Sequence, residues 1–314
     1  MPDNASGAPL HILRGSARSG KTARLLTRFL DNAGKALLIV ASPEHAEFLA
    51  RTASQQTGSP VADFAPRMMS LRNFIERLRE TFLPERRPIG QTFQKLIVTE
   101  LIPQTLRPDD FFGAMIESPG FASALTERIR EWKFACLTPE ALECGLASIP
   151  ETEPAFTRKT EELVRLFRAY ERFLRQHDLA DHEDGLHQVI AFLQANPAPL
   201  LFDADCILID GFFRFNLAQR RLIGALASRN SLLGTPKIEV TITLPADTAR
   251  PFLFAAADRT YAALCAEFRV TEQFLPSQNE TVPESLTQLE RRLFAPNAAE
   301  FTPQSATEIV LSLI

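Results

Sequence analysis

The sequence predicts an α/β fold with a parallel sheet, interrupted by an all-helical insertion. Strand and helix patterns alternate up to about residue 83, helical spacing then prevails, and strand patterns return after about residue 200. The first half of the core is predicted at 1–83, the inserted helical subdomain at 84–200, and the second half of the core at 201–274. A linker, a helix and the start of a following domain are predicted at 275–314.

The elements of the first half follow from local spacing. An apolar run before a glycine turn predicts the first strand, and apolar residues at helical spacing predict the helix after it. A fully apolar run predicts a second strand, and a proline at a first helical turn opens the next helix. In chain order the predicted elements are strand 10–14, helix 21–30, strand 36–41, helix 43–56, strand 61–66 and a helix from residue 71.

The insertion contains the clearest helical pattern, at 157–177. One apolar stripe is expected to face the core, and the arginines of this helix are expected to form a solvated face. The stripe consists of Leu163, Leu166, Phe167, Tyr170, Phe173 and Leu174. After the insertion we predict strand 206–210, helix 217–228, strand 238–244, helix 260–268, helix 284–294 and strand 309–314.

Composition restricts the class of partner and the compartment. The 34 basic and 38 acidic residues give a net charge of −4, so any contact with DNA must be local. The sequence has no secretion signal and no apolar run near the roughly 18 residues of a membrane span. Four cysteines without a CxxC pair predict buried free thiols in a reducing, cytoplasmic compartment: Cys136, Cys144, Cys206 and Cys265.

Residues 15–22 fit the pattern GxxxxGK[ST] without a mismatch. A chain of this length contains such a match by chance in roughly one case in a hundred. Here the match lies between a predicted strand and a predicted helix, the context that a P-loop requires. The sequence therefore predicts a site for the phosphates of ATP at Gly15, Ser16, Ala17, Arg18, Ser19, Gly20, Lys21 and Thr22.

The same loop predicts a magnesium site. Glycines let successive backbone N–H groups point inward as an anion nest, and the following helix adds its positive end. Lys21 is expected to reach the β and γ phosphates, and the Thr22 hydroxyl to coordinate Mg²⁺. Asp210, at the end of the buried strand 206–210, is the predicted acidic residue of the magnesium shell.

The run that contains Asp210 resembles a known motif. It reads Ile-Leu-Ile-Asp-Gly-Phe at 207–212, followed by Phe215, Asn216 and Gln219. This run resembles the DExx block of superfamily-one helicases of the UvrD and RecB type. It is more similar to the DGFxxFxxxQ variant in the B component of AddAB/RexAB-type ATP-dependent helicase-nucleases. Further similar segments lie at 38–44, 69–71 and 286–294.

The resemblance implies a RecA-like P-loop NTPase core with a helical insertion, acting in recombinational repair of double-strand breaks. It implies ATP and Mg²⁺ as cofactors, an AddA-type helicase/nuclease subunit as partner in a heterodimer, and DNA. It also implies a longer protein with a second RecA-like domain and a nuclease, whose motif these 314 residues do not contain. By the same resemblance, DNA contacts are expected near Pro43, Ser70 and Phe74.

One position departs from the active helicases of this type. Gly211 stands where a motor has the glutamate that polarises the attacking water, and a glycine cannot orient or deprotonate water. We therefore expect ATP binding without efficient hydrolysis, and a scaffolding or regulatory role.

Two alternative functions remain. The first is an active superfamily-one DNA-dependent ATPase or helicase that uses Glu44 or Asp247 instead. The second is a small-molecule P-loop kinase, although the arginine-rich stretch 158–175 has the pattern of a packed helix and not of a lid.

The acidic residues around His182 and the single tryptophan each have two competing explanations, one functional and one structural. The acidic residues around His182 could hold a metal, but polar turn and helix-cap chemistry is the favoured explanation. These residues are Asp178, Asp181, Glu183 and Asp184. Trp132 could stack on a base, although a single tryptophan in a helical pattern is more typical of a core residue.

Overall fold

The computed structural model of the chain describes residues 9–32, 34–83, 86–149, 154–196, 204–228, 238–248, 250–276 and 289. The chain divides into two compact units. The first comprises Met1–Leu71, Pro197–Phe215 and Leu226–Ile314, and the second comprises Arg72–Asn196 and Asn216–Ala225. The domain boundaries that the sequence suggested stay predictions.

The described residues form strands and α-helices that we number in chain order. The strands are β1 (Pro9–Gly15), β2 (Ala36–Val40), β3 (Met68–Ser70), β4 (Arg87–Pro88), β5 (Leu179–Ala180), β6 (Cys206–Asp210), β7 (Glu239–Pro245) and β8 (Arg269–Phe274). The helices are α1 (Lys21–Asp31), α2 (Pro43–Thr57), α3 (Val61–Phe64), α4 (Leu71–Phe82), α5 (Gln91–Thr105), α6 (Pro119–Phe134), α7 (Pro139–Ala147), α8 (Pro154–Gln176), α9 (His182–Ala195), α10 (Leu217–Ala227) and α11 (Ala255–Glu267).

The first unit contains a parallel sheet in the order β3-β2-β6-β7-β1-β8. The predicted α/β class with a parallel sheet is confirmed, and the arrangement is consistent with a RecA-like core. In such a sheet the carboxyl ends of all strands lie at one edge, where ligands bind. Gly15 at the end of β1 and Asp210 at the end of β6 therefore reach the same edge, with β7 between their strands.

Burial explains why this sheet forms where the sequence predicts it. Every residue of β2 and β6 is buried, in agreement with their uninterrupted apolar sequences. Helix α1 packs its apolar face, formed by Leu25, Leu26 and Phe29, into the same core. The glycine-rich loop is therefore held between a buried strand and a packed helix.

The predicted strand at 61–66 is wrong. Helix α3 and a short 3-10 helix, Ala65–Arg67, occupy this segment. Pro60 precedes α3 in an extended conformation, and Pro66 lies in the 3-10 helix, where its missing N–H does not interrupt a sheet ladder. The strand of this region is β3, only three residues long and fully buried.

Strand β8 has no counterpart among the predicted elements. Its sequence, RVTEQF, is mostly polar and mostly exposed. The strand lies beside β1 as the last strand of the sheet among the described residues. An edge strand of this kind has neither a continuous apolar run nor a clear alternation, so its sequence resembles a loop.

The second unit has a core formed mainly by α5, α6 and α8. The apolar stripe predicted on helix 157–177 is confirmed. Its buried members are Leu166, Phe167, Tyr170 and Leu174, and Leu163 and Phe173 are partly buried against them. Trp132 packs on Phe167 with ring centroids 5.4 Å apart, so its assignment to the core is confirmed.

The cysteines are free, as predicted, but their predicted burial is only partly correct. Cys206 is buried in β6, whereas Cys144 on α7 and Cys265 on α11 are exposed because they lie on the solvent faces of their helices. None of the described helices is long and apolar enough to cross a membrane. The predicted elements at 284–294 and 309–314 lie outside the described residues, apart from residue 289.

Candidate nucleotide-binding site

The loop between β1 and α1 has a backbone that requires glycine. A Cβ atom at Gly15 would lie 2.4 Å from the carbonyl oxygen of Leu275 and 2.6 Å from Ser19 Oγ. Both distances are too short for a contact between atoms that are not bonded. Gly20 has φ 80°, the left-handed region that glycine adopts at little cost. Gly15 is therefore required because neighbouring atoms leave no space for a side chain, and Gly20 is favoured because its backbone is left-handed.

Lys21 folds back over the loop. Its Nζ donates to the carbonyl oxygens of Gly15 at 2.7 Å and Ser16 at 2.6 Å, and to Ser19 Oγ at 3.1 Å. Burial lowers the pKa of the Lys21 ammonium, and the nearby Asp210 carboxylate opposes this shift. The acceptors that contact Lys21 directly are neutral, so its positive charge is available to an anion.

Helix α1 adds its positive end to the same place. It begins at Lys21, and Gly20 at the N-cap provides no side-chain hydrogen bond to the first turn. The first N–H groups of an α-helix have no partner within the helix, and together with the helix dipole they favour an anion. The start of α1 can therefore bind a phosphate group.

Asp210 is held at the end of β6 by two hydroxyl groups. Thr22 Oγ1 donates to Asp210 Oδ2 at 2.8 Å, and Thr243 on β7 donates a short hydrogen bond to Asp210 Oδ1. The Asp210 side chain is only 3% exposed. Because Thr22 donates its proton to the carboxylate, the lone pairs of the Thr22 oxygen remain free for a hard cation such as Mg²⁺.

His45, like Thr243, is a residue of this site that the sequence did not reveal. Its Nε2 lies 3.6 Å from Asp210 Oδ2. A Cβ atom at Gly211, which has φ 82°, would lie 2.8 Å from His45 Nδ1. The ring therefore fills the space into which a side chain at residue 211 would extend. The one sequence signal was its place in the first turn of the helix that follows a buried strand.

The remaining predicted positions differ in accessibility. Ser19 is buried, and Arg18 has φ 57° in an exposed part of the loop. Among the three residues predicted near DNA, only Pro43 is exposed. Ser70 is 2% exposed and the Phe74 side chain is fully buried, so neither side chain is accessible to DNA in this structure. The DNA contacts expected near these three residues stay a prediction.

The two carboxylates considered as substitutes for a catalytic glutamate have other partners. Glu44 is exposed in the first turn of α2, where a hydrogen bond to its own backbone N–H and one from Ser42 lower its pKa. Asp247 forms an ion pair with Arg250 at 2.7 Å. Helix-start chemistry and pairing with an arginine therefore explain both residues without a catalytic role.

The acidic cluster near His182 lies in the second unit and surrounds a lysine. Lys133 Nζ lies 2.6 Å from both Asp181 and Asp184 and 2.8 Å from Glu171. Asp181 accepts the N–H of Asp184 at 2.7 Å and caps α9, which confirms the predicted cap. The Lys133 ammonium occupies the position between these three carboxylates that a metal ion would take. The cluster is therefore a buried ion network.

The other two acidic residues of that group also have structural partners. Glu183 is 1% exposed, 3.2 Å from Gln94 Nε2 and 3.3 Å from Arg130 Nε. Asp178 has φ 52°, and its carbonyl oxygen accepts the N–H of Arg87 at 2.9 Å. The predicted turn chemistry therefore accounts for Asp178, whereas Glu183 is explained by its contacts with Gln94 on α5 and Arg130 on α6.

The fold and the geometry together define a class of protein domain. A parallel sheet whose first strand runs into a glycine-rich loop and a helix, with an aspartate two strands away, is typical of a RecA-like α/β domain. The sequence model of the family described as "ADDB, N-terminal" matches residues 12–291. The chain belongs to this family.

Curated relatives agree with this assignment. Each is named as the B component of an ATP-dependent helicase/deoxyribonuclease. The relative from Natranaerobius thermophilus is 25% identical over 243 residues, and the one from Pelotomaculum thermopropionicum is 27% identical over 247 residues. The relative from Geobacillus thermodenitrificans is 27% identical over 254 residues. These matches cover 74%, 76% and 77% of this chain, but only 20%, 20% and 21% of the relatives. The chain thus spans about a fifth of their length.

Proposed function

We propose that this chain binds ATP with Mg²⁺ at residues 15–22 and Asp210, and that it hydrolyses ATP slowly or not at all. The observation that carries the proposal is the 2.8 Å hydrogen bond from Thr22 to Asp210, beside a lysine whose hydrogen bonds within the described residues go to neutral acceptors. The relatives are named ATP-dependent, which supports ATP as the nucleotide.

The binding step follows from the contacts of the loop. Phosphate oxygens replace the carbonyl oxygens of Gly15 and Ser16 as acceptors for Lys21, and a charged acceptor gives a stronger hydrogen bond than a neutral one. The start of α1 stabilises the same negative charge. The Thr22 oxygen would coordinate the magnesium ion, and Asp210 would hold water molecules of its shell, because Mg²⁺ keeps several waters.

Slow hydrolysis follows from the backbone after Asp210. A side chain at residue 211 would have to adopt a left-handed conformation and displace the His45 ring. The position that carries the glutamate in the similar motors therefore contributes no carboxylate here. Nucleotide and metal binding are retained, while the group that activates water is absent from this position.

We further propose that the nucleotide acts through conformation. A bound ligand shifts a protein between two states only if it binds one of them more tightly. Under this proposal the chain is the amino-terminal part of a helicase-nuclease subunit that works on DNA with an AddA-type partner. Its ATP occupancy regulates the assembly, and its role is scaffolding instead of translocation.

An affinity measurement tests the nucleotide site. We expect saturable ATP binding in the presence of Mg²⁺, and a loss of roughly 10-fold to 100-fold in Lys21→Ala, since a hydrogen bond to a charged group contributes about 1.5–3 kcal/mol. The matched control is Lys35→Ala, a lysine of the same unit that is 69% exposed and pairs with Asp205. Equal affinities of Lys21→Ala and the parent chain would overturn the site.

The alternative of an active DNA-dependent ATPase is tested by turnover. The resemblance to superfamily-one motors motivates this alternative. Rapid ATP hydrolysis stimulated by single-stranded DNA would favour the motor over the passive role. The kinase alternative has less support, because the arginine-rich stretch belongs to α8, whose apolar stripe is packed in a core.

A further inference from the structure

The ring of His45 occupies a defined place beside the Asp210 carboxylate. Its Nε2 is 3.6 Å from Asp210 Oδ2, the same oxygen that accepts the Thr22 hydroxyl. The Nδ1–Cε1 edge of the ring covers Gly211, where a Cβ atom would lie 2.8 Å from Nδ1 and 3.0 Å from Cε1. The imidazole therefore lies between the carboxylate and the backbone that follows it.

The sheet register delivers His45 to this place. Val40, the last residue of β2, is the partner of Asp210 in the parallel pairing of β2 with β6. Ser42 caps α2 by accepting the N–H of His45 at 3.3 Å, and Pro43 occupies the first turn. A strand end, a short turn and a capped helix thus fix the imidazole next to the end of β6.

The contact between His45 and Asp210 is not a direct hydrogen bond. A distance of 3.6 Å is longer than a hydrogen bond between nitrogen and oxygen. The Asp210 oxygens already accept hydrogens from Thr22 and Thr243. The His45 ring is therefore a third neighbour of the Asp210 carboxylate, next to the oxygen that accepts the Thr22 hydroxyl. The His45 side chain is 27% exposed, so ligands and water can reach it.

We propose that His45 is a positioning residue for Asp210, which keeps Oδ2 directed towards the magnesium shell of bound ATP in the place left by the absent side chain at residue 211. This inference rests on the proposed ATP and Mg²⁺ site. Residues that orient a metal-binding carboxylate typically contribute 10-fold to 100-fold to metal affinity. The effect of His45 should therefore appear in binding that depends on magnesium, and not in the phosphate contacts of the loop.

The test compares ATP affinity with Mg²⁺ and with EDTA in the same chain. The ratio of the two affinities reports the contribution of the metal. In His45→Ala we expect this ratio to fall by about tenfold, while the affinity in EDTA stays near that of the parent. In His45→Gln we expect recovery of most of the ratio, because the glutamine amide fills similar space and offers an N–H to Asp210. The matched control is His11→Ala, a histidine on β1 that pairs with Glu239 at 3.2 Å.

The outcomes separate this inference from the proposed function. An unchanged ratio in His45→Ala, or an equal loss with and without Mg²⁺, overturns the positioning role. Failure of His45→Gln to recover the ratio overturns it too, because the contact with Asp210 would then be irrelevant. In these cases the ATP site itself stands if Lys21→Ala still weakens binding. If the parent chain binds no ATP, the proposed function fails and this inference fails with it.

Discussion

Two lysines, one in each unit, show how the chemistry of its contacts decides what a lysine does. Lys21 contacts two backbone carbonyls and one hydroxyl, all of them neutral. Lys133 contacts three carboxylates within 2.8 Å. The Lys133 side chain is buried and that of Lys21 is half-buried, and among the described residues only Lys133 of the two is in direct contact with carboxylates.

The pKa directions of the two lysines are opposite for this reason. Burial lowers the pKa of Lys21 and dominates over the effect of Asp210. Burial also opposes the charge of Lys133, but Asp181, Asp184 and Glu171 outweigh it and raise the pKa. A lysine with a lowered pKa and neutral contacts is suited to a ligand that brings negative charge. A lysine enclosed by carboxylates is suited to holding helices together.

The largest effect is expected at the second lysine. Lys133→Met leaves Asp181, Asp184 and Glu171 without their cation, and Asp181 is fully buried. Removing one partner of a buried ion network costs about 3–5 kcal/mol, so the free energy of unfolding should fall by that amount. Urea unfolding followed by circular dichroism measures it. The control, Lys95→Met on the exposed face of α5, should change stability by less than about 0.5 kcal/mol. A loss below about 1 kcal/mol in Lys133→Met would show that the network is not structural.

A second prediction concerns the pH dependence of the same network. Burial, followed by repulsion from Asp181, raises the pKa of Asp184 to about 7, although Lys133 opposes this shift. An aspartate in the unfolded chain titrates near pH 4, at about 3.9. The folded chain therefore binds this proton more tightly than the unfolded chain. The contribution of Asp184 to stability is greatest below about pH 4, the pKa in the unfolded chain, and is lost as the pH rises towards about 7, the pKa in the folded chain.

The variant Asp184→Asn isolates this contribution because asparagine does not ionise. We expect the unfolding free energy of the parent minus that of Asp184→Asn to decrease between about pH 5 and about pH 8. Urea unfolding at the two pH values measures the difference, and Asp109→Asn, an exposed aspartate of the same unit, serves as the control. A difference that increases with pH would mean that the network stabilises the ionised form of Asp184.

The sequence predicts the elements whose pattern is local and whose burial is complete. Strands β2 and β6 are apolar at nearly every position and are fully buried, so their local sequences are enough to predict them as strands. Strand β8 escapes detection because its exposed edge position allows polar residues. The segment that forms α3 is too short for helical spacing to distinguish it from a strand.

The candidate site divides in the same way. The loop at 15–22 is visible because its residues are consecutive, and Asp210 is visible because it ends a buried strand. Thr243 and His45 join the site only through the pairing of β6 with β7 and with β2. Lys133 likewise meets Asp181 only after α6 packs near α9. Contacts of this kind depend on strand order and helix packing, which one sequence does not specify.

The smallest effect on stability, and the sharpest contrast with Lys133, is expected in Lys21→Met. The carbonyl oxygen of Gly15 keeps a hydrogen bond from the N–H of Ala246 at 3.0 Å, so the loss of the lysine leaves it partnered. Relief from burying the ammonium offsets part of what is lost, and without nucleotide we expect a change below about 1 kcal/mol. With ATP and Mg²⁺ at about a hundred times the dissociation constant, the parent chain should gain about 2.7 kcal/mol, and Lys21→Met much less. Urea unfolding with and without the nucleotide measures both values. A large loss without nucleotide would make Lys21 a structural lysine like Lys133, and the contrast between the two units would disappear.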